Sequence, residues 1–575
     1  MDARTTEEAV QPLPAQPREE RRRRGRDLAL VIVGLALVYF LAALDQTIVA
    51  TALPTIVSEL HGFSSYAWVG TAYLLTMTTM IPLVGKLSDQ FGRKWLLVAG
   101  IVLFLSGSML AGLAQTMLQL ILFRGFQGLG AGALTSLAST LLGDLFSPAE
   151  RGRWQGLFIA IGTIAAIVGP LTGGAITEHT SWRWIFYLNL PLGLVALACI
   201  AIWLPASISV RATQVQGRAG LRRLDLPGSL TAAAATICLL LGLSWGGETY
   251  PWASAQVVGL LVAAALLFAL FFLVERWAAE PLLPLSLLRN SIFTNALCLA
   301  FAYGFLFFGI LYYSPLFIQA VLGQTSLSSS AALTPLLLGV TVGSISGGLL
   351  VSRLRRYRIV TLAGALILLA GAVLLATLGM ASGLWSVILT TVVIGVGGGL
   401  LSNMFMLAAQ NVMPLEHLGS GTSAVTYLRS VGQVLGAAIL GTVLVNVSTS
   451  VFPGYLPAAA QRLPAALLEQ AADPQVLTNA QKQQQIVQVV TRVLAEQNGA
   501  SPGQGQELTR LKAQSAVLCR QIFEAARHAL ADGLHLGFLV LLGMSVVTVL
   551  LTLLLKDVPL RGRVERPEEQ QVKGT

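Results

Sequence analysis

Gly156-Leu-Phe-Ile-Ala-Ile-Gly162-Thr-Ile-Ala165-Ala-Ile-Val-Gly169-Pro170-Leu-Thr-Gly173-Gly174 reads as a membrane-crossing helix with one bare side. Gly162, Ala165, Ala166, Gly169 and Gly173 recur at three- and four-residue spacings, forming a stripe on which another backbone approaches closely. Pro170 has no N–H for the carbonyl of Ala166 and its ring crowds that turn, so a bend is expected between two tightly packed segments. The expected product is a hinge inside lipid. Small-residue stripes serve helix contacts in any polytopic protein; the Gly-Pro and Gly-Gly pairs at this spacing set this one apart.

Composition supports the membrane reading. The 575-residue chain is 55% hydrophobic and 11% charged, with a mean hydropathy of +0.72, too apolar for a soluble globular protein. Its net charge of +10 does not point to nucleic acid, because the basic residues sit between apolar runs rather than on one soluble face. Cys199, Cys238, Cys298 and Cys519 show no paired spacing, so neither a disulfide framework nor a metal site is expected. The apolar run from Leu28 follows Arg21 to Arg24 and Arg26; it is too long for a signal-peptide core and is expected to remain as the first span.

At roughly 20 apolar residues per crossing the chain holds about fourteen spans. Lys86, Arg93 and Lys94, Arg151 and Arg153, the 211–223 linker, Arg276 and Arg289, Arg353 to Arg358 and the tail after Lys556 fall on one side, whereas the short loops opposite contain only Arg183. Positive residues mark the cytoplasm, so both termini are expected inside. The spans divide into a basic N-terminus (1–27), a first six-helix half (28–204), a linker with an inserted helix pair (205–292), a second six-helix half (293–556) and a tail (557–575). Gly85-Lys-Leu-Ser-Asp89-Gln-Phe-Gly92-Arg93-Lys94 after the second span has a faint echo after the tenth in Gly348-Leu-Leu-Val-Ser352-Arg353-Leu-Arg355-Arg356. Such an echo is expected of a repeat transporter with its site between the halves. A long outer loop (447–532) carries Ile486, Val489, Val490, Val493 and Leu494 at helical spacing, expected to form amphipathic helices that cap the outer surface.

Ionisable residues inside apolar runs are the functional candidates, because a charge in lipid must face a cavity, find a partner or hold a proton. Asp45 lies near the middle of the first span and Arg124 at comparable depth in the fourth, where Gly128 and Gly132 allow close helix approach. Arg124 is the natural partner of Asp45, the alternative being an arginine snorkelling to the interface. In the loop, Asp89 and Arg93 flank Gly92 and can pair with each other or with helix ends, then release when the halves rock. Arg429 in span 13 is read first as a buried hydrogen-bond anchor, with substrate orientation or coupling as alternatives. Asn403 and Gln410 share a helical face and default to helix contacts. Phe301, Phe305, Phe308 and Tyr312 recur on one face; taken singly each ring is read as packed or lipid-facing, and as a stripe opposite Met404 and Met406 they are candidates for the wall of a substrate pocket.

The segment around Asp45 (Leu44 to Val49, then Ala52-Leu53-Pro54), the Gly85 to Lys94 loop, Arg124-Gly-Phe-Gln127-Gly128-Leu-Gly130-Ala-Gly132, Ser181-Trp-Arg-Trp-Ile-Phe-Tyr-Leu-Asn189-Leu-Pro191 and Gln410-Asn411 complete a set. Together with the Gly156 to Gly174 stretch, in which Ala165 stands for an expected glycine, they resemble the fourteen-helix drug:proton antiporters of the major facilitator superfamily. The resemblance implies an all-α integral membrane protein with the major facilitator fold, two six-helix halves and an inserted pair. It implies proton coupling through Asp45 and Arg124, gating by Gly85, Asp89, Gly92 and Arg93, and an antiporter hinge at Gly156, Ala165, Gly169, Pro170, Gly173 and Gly174. It further implies a proton-driven exporter of lipophilic, often cationic drugs, with no cofactor, in contact with membrane lipids, monomeric, and resident in the cytoplasmic membrane. Export of a lipid or endogenous metabolite, and a non-transporting receptor or scaffold, are the alternatives. No P-loop pattern points to ATP-driven transport, and no constellation points to an enzyme.

Overall fold

Inside lipid a backbone satisfies its own hydrogen bonds only as helix or closed barrel, and each apolar run of this chain takes the first course. The computed structural model describes residues 18–60, 68–146, 148–205, 226–247, 250–278, 285–324, 326–414, 417–472, 476–477, 480–497 and 505–559. The start of the basic N-terminus, the 206–225 part of the linker, the tail beyond 559 and the side chains of Pro170 and Tyr312 lie outside that description.

A first bundle comprises α1 (Arg18–Glu59), α2 (Trp68–Phe91), α3 (Arg93–Gly112), α4 (Met117–Leu145), α5 (Pro148–His179) and α6 (Asn189–Trp203), the last entered through one turn at Trp184–Tyr187. The pair α7 (Leu226–Trp245) and α8 (Ala255–Glu275) follows. A second bundle comprises α9 (Ser291–Leu316), α10 (Ser326–Leu354), α11 (Tyr357–Ala376), α12 (Leu384–Ser402), its continuation α13 (Met404–Val412), α14 (Leu418–Tyr455), and the last span. The connecting helices α15 (Ala465–Ala472) and α16 (Ala480–Gln497) precede that span, α17 (Gly505–Leu554). Among the described residues 13 helices are long and apolar enough to cross a membrane. The remaining expected crossing, α7, has a shorter apolar segment, Pro227–Leu243.

The expected long loop is largely helix. α14 has 38 residues and α17 has 50; at 1.5 Å per residue the latter runs about 75 Å, against about 30 Å of hydrocarbon. Hydropathy registers only the apolar part of such a helix, which is why the spans looked shorter in sequence. α15 and α16 pack on the extension of α17, and Ile486 and Val490 are buried there while Val489 is exposed.

Chain direction defines two ends. At one, Arg183 bonds Glu59 at 2.5 Å and the Ala114 carbonyl at 3.2 Å, and its guanidinium holds the Glu59 carboxyl below the usual carboxylate range. At the other, α2 ends and α3 begins through Gly92, whose φ of +87° suits glycine alone at little cost. The end of α17 lies at this second end, with the Tyr357 hydroxyl donating to the Lys556 carbonyl at 2.7 Å and Asn411 to that of Pro559 at 3.3 Å.

The bundles meet along α2 with α14 and α5 with α10. A Cβ at Gly85 would lie 2.8 Å from the Gly419 carbonyl, and one at Gly152 would lie 3.3 Å from the Gly348 Cα, so backbones touch at both crossings. The two echoing segments therefore occupy corresponding places.

Candidate functional site

Asp45 is fully buried on α1 and accepts from three side chains. Arg124 Nη1 from α4 reaches Oδ2 at 2.6 Å, Gln127 Nε2 reaches Oδ1 at 2.9 Å, and Asn189 Nδ2 from α6 reaches Oδ1 at 3.1 Å. Arg124 also donates to Gln127 Oε1 at 2.8 Å, and its guanidinium lies 4.1 Å from the ring centroid of Tyr73 on α2. Asn189 is steadied by Ser108 of α3 at 2.9 Å, whose hydroxyl donates to the Phe186 carbonyl. Five helices thus converge on one carboxylate. Helix α4 fits among them because Gly128 and Gly132 lie against the α2 backbone and Gly130 against that of α3. A buried pair with one partner removed leaves an uncompensated charge, worth about 3–5 kcal/mol; the amides satisfy the remaining lone pairs.

At the Gly92 end Asp89 joins the two bundles. Its carboxylate accepts from the Gly419 N–H at 2.9 Å and the Ser420 N–H at 2.8 Å, the first turn of α14, and from Arg93 at 3.3 Å. Arg93 is also paired with Asp144 and donates to the Thr140 carbonyl at 3.4 Å. An anion at a helix N-terminus is favourable by about 0.3–1 kcal/mol, up to ~2 when partly buried. Ser136 and Ser423 share a hydrogen bond of 2.6 Å beside it.

Between that contact and mid-membrane lies a cavity. Tyr39, Gln155 and Phe158 line it from the first bundle, and Ser402, Asn403 and Arg429 from the second.

A model of the Major Facilitator Superfamily matches residues 35–437. The chain belongs to that superfamily. It is 34% identical over 545 residues, 95% of both chains, to the Multidrug transporter protein MdtP of Bacillus subtilis. It is 37% identical over 420 residues, 73% of this chain and 80% of the relative, to Multidrug resistance protein 3 of the same organism. The solved proton:xylose symporter XylE matches in fold, with a TM-score of 0.52 at 13% identity over 75% of this chain and 91% of that one. Family and fold are those of transporters rather than enzymes.

Within this facilitator the bare stripe of α5 serves two partners. Gly156 lies against α10, where a Cβ would come within 2.7 Å of the Ser344 carbonyl. Gly162, Ala165 and Gly169 face α1: Gly162 lies under Tyr39, Thr47 donates to the Ala165 carbonyl at 3.4 Å, and Gly169 abuts Thr47. Gly173 is buried, whereas Gly174 has open space. The helix is continuous through Pro170.

The expected aromatic wall lies elsewhere. Phe305 is buried in the core of the second bundle, and the backbones of Phe301 and Phe305 meet Gly432 and Gly436 of α14. Phe301, Phe305 and Phe308 are not among the residues that line the cavity; the turns of α9 at Phe301 and Phe305 pack on α14. Tyr303 and Phe307, stacked at 5.6 Å, occupy the adjacent face, with Tyr303 against the cavity-lining Phe405. Asn403 and Arg429 do line the cavity; Gln410 lies beside it, donating to Thr422 at 3.2 Å and accepting from Gln155 at 3.5 Å. Gln127, Asn189, Ser108 and Asp144 were not singled out as functional in sequence. Gln127 falls three residues after Arg124 and so shares its helical face; uncharged Asn189 and Ser108 carry no comparable signal.

Proposed function

We propose that this chain is a proton-coupled antiporter that exports lipophilic small molecules across the cytoplasmic membrane. The observation that carries this reading is the fully buried Asp45, ion-paired with Arg124 and held by two amide donors. A carboxylate sealed among five helices is an expensive way to hold a bundle together, but a suitable proton carrier, since neutralising it releases Arg124 and changes what α1, α4 and α6 prefer. The two Bacillus subtilis relatives are named as multidrug proteins, which supports drugs as the substrate class.

The cycle follows from the two contacts. With Asp45 charged and paired, and Asp89 seated on α14, the bundles are closed at the end that the basic residues assign to the cytoplasm. A proton arriving from outside neutralises Asp45 and loosens its hold on Arg124. The bundles then rock, Asp89 leaves the first turn of α14, and the cavity opens inward, where the proton leaves and substrate enters. The proton gradient drives the cycle without a cofactor.

Purified protein in proteoliposomes with an imposed pH gradient tests the reading. Uphill accumulation of a lipophilic dye that collapses with an ionophore is the expected result. Specific binding of the dye without gradient-dependent movement would favour a receptor or scaffold.

A further inference from the structure

The cavity between the bundles has one formal charge on its wall, and it is positive. Arg429 contributes the guanidinium; the other lining residues are apolar, hydroxyl or amide side chains, with no carboxylate among them. Asp45 does not offset it, because that carboxylate is fully buried and already paired with Arg124. An arginine inside an apolar span is expected first to anchor hydrogen bonds, yet among the described residues the Arg429 guanidinium makes neither a hydrogen bond nor an ion pair, and its buried Nε has no partner. Asn403, on the same wall, likewise presents a buried Nδ2 without an acceptor. Two unsatisfied donors, one of them charged, therefore face a space with no anion of its own. Buried donors left unpaired are unfavourable, so the space is complementary to a ligand that brings the acceptors. Much of the remaining wall is aliphatic or aromatic: Tyr39 and Phe158 meet edge to face at 5.8 Å, and Phe405 packs against Tyr303 at 5.5 Å. Gln155 Oε1, a buried acceptor on the same wall without a partner among the described residues, suits a hydroxyl or amide N–H on the ligand body.

We propose that Arg429 and Asn403 form an anion subsite, and that the substrates of this transporter include lipophilic organic carboxylates, held by the head group at Arg429 with their apolar body against Tyr39, Phe158 and Phe405. The assignment rests on the exporter reading and sharpens it, because a cationic drug, otherwise expected of such a pump, would meet a like charge in a site of low dielectric. Specificity is a difference of affinities, and an unpaired guanidinium supplies both sides of it: attraction for the acid and repulsion of the base.

The test uses the full chain in nanodiscs of zwitterionic lipid, titrated with dansyl-alkyl probes that differ only in the head group: a carboxylate, a carboxamide and a trimethylammonium. Empty nanodiscs correct for partitioning. The carboxylate is expected to bind at least about tenfold tighter than the ammonium, with the amide between them. Arg429→Gln should bring the carboxylate-to-ammonium ratio to about one, whereas Arg429→Lys, which keeps the charge and loses the fork, should retain most of it. A wild-type ratio of one or below overturns the subsite without recourse to any variant, as does an unchanged ratio in a folded Arg429→Gln protein. Gradient-driven accumulation of the same probes in proteoliposomes separates this from the exporter reading. Carboxylate preference with no accumulation of any probe sinks the exporter and keeps the subsite. Accumulation of the ammonium probe with no carboxylate preference does the reverse.

Discussion

Arg124 and Asp45 are unequal partners although their ion pair is symmetric in space. A guanidinium does not lose its proton in proteins, whereas a carboxylate can gain one. Asp45→Asn therefore strands a permanent buried cation, while Arg124→Gln leaves an acid that can discharge itself. Asp45→Asn should lower stability by about 3 kcal/mol or more and Arg124→Gln by less, and the double substitution should recover part of the larger loss. Thermal melting of the purified variants reads this directly. A double variant that loses the sum of the two single losses would show that the pair is not coupled. The residues that sequence could find are those whose charge stands out in an apolar run: Asp45 and Arg124 were legible for that reason. Asn189 and Ser108 were not, because an uncharged polar residue in such a run has many uses and only the fold shows that Asn189 reaches Asp45 at 3.1 Å.

A single element, α5, links the charge centre to the bundle interface. Its inner part touches α10 through Gly156, and its outer part touches α1 through Gly162, Ala165 and Gly169, the last against Thr47, two residues from Asp45. Gly169→Val would press a branched side chain onto Thr47 and displace α1 locally, without altering the hydropathy that inserts the helix. Transport should fall at least about tenfold while membrane insertion, read as the amount of folded protein extracted, stays within about twofold. A variant that is inserted and transports normally would remove α5 from the working parts. The stripe was readable from spacing, since glycines at helical intervals predict close approach. Its division between two partners was not, because periodicity identifies a face and not what meets it. The same limit explains α9: the aromatic stripe was regular, yet Phe301 and Phe305 pack on the glycines of α14 while Tyr303 and Phe307 lie against Gly398 of α12, with Tyr303 on the cavity-lining Phe405.

Across the whole molecule, two similar crossings, α2 on α14 and α5 on α10, hold one end of the interface closed. Their asymmetry is in the side chains. Asp89 caps α14 from the opposite bundle, whereas the corresponding Ser352 donates within its own helix to Leu349. Asp89→Ala should therefore shift the equilibrium toward the state open at that end by about 1–2 kcal/mol, or roughly 5–30-fold. Spin-label distances across the α2–α14 crossing measure that shift, and an unchanged distribution would show that Asp89 does not hold this end closed. Overall organisation was legible because about 20 apolar residues must recur for each crossing. The helical extensions of α14 and α17 were not, since they leave lipid and lose the apolar signal.

Proton coupling at Asp45 is the claim on which the functional account turns, and it has a direct readout. A compound shown to accumulate in proteoliposomes is added to the purified protein in weakly buffered solution, and the protons released are counted against the substrate bound. Substrate-linked release is expected in the wild type and none in a folded Asp45→Asn variant that still binds the compound. Equal release from both proteins would place the coupling elsewhere and contradict the role given to Asp45.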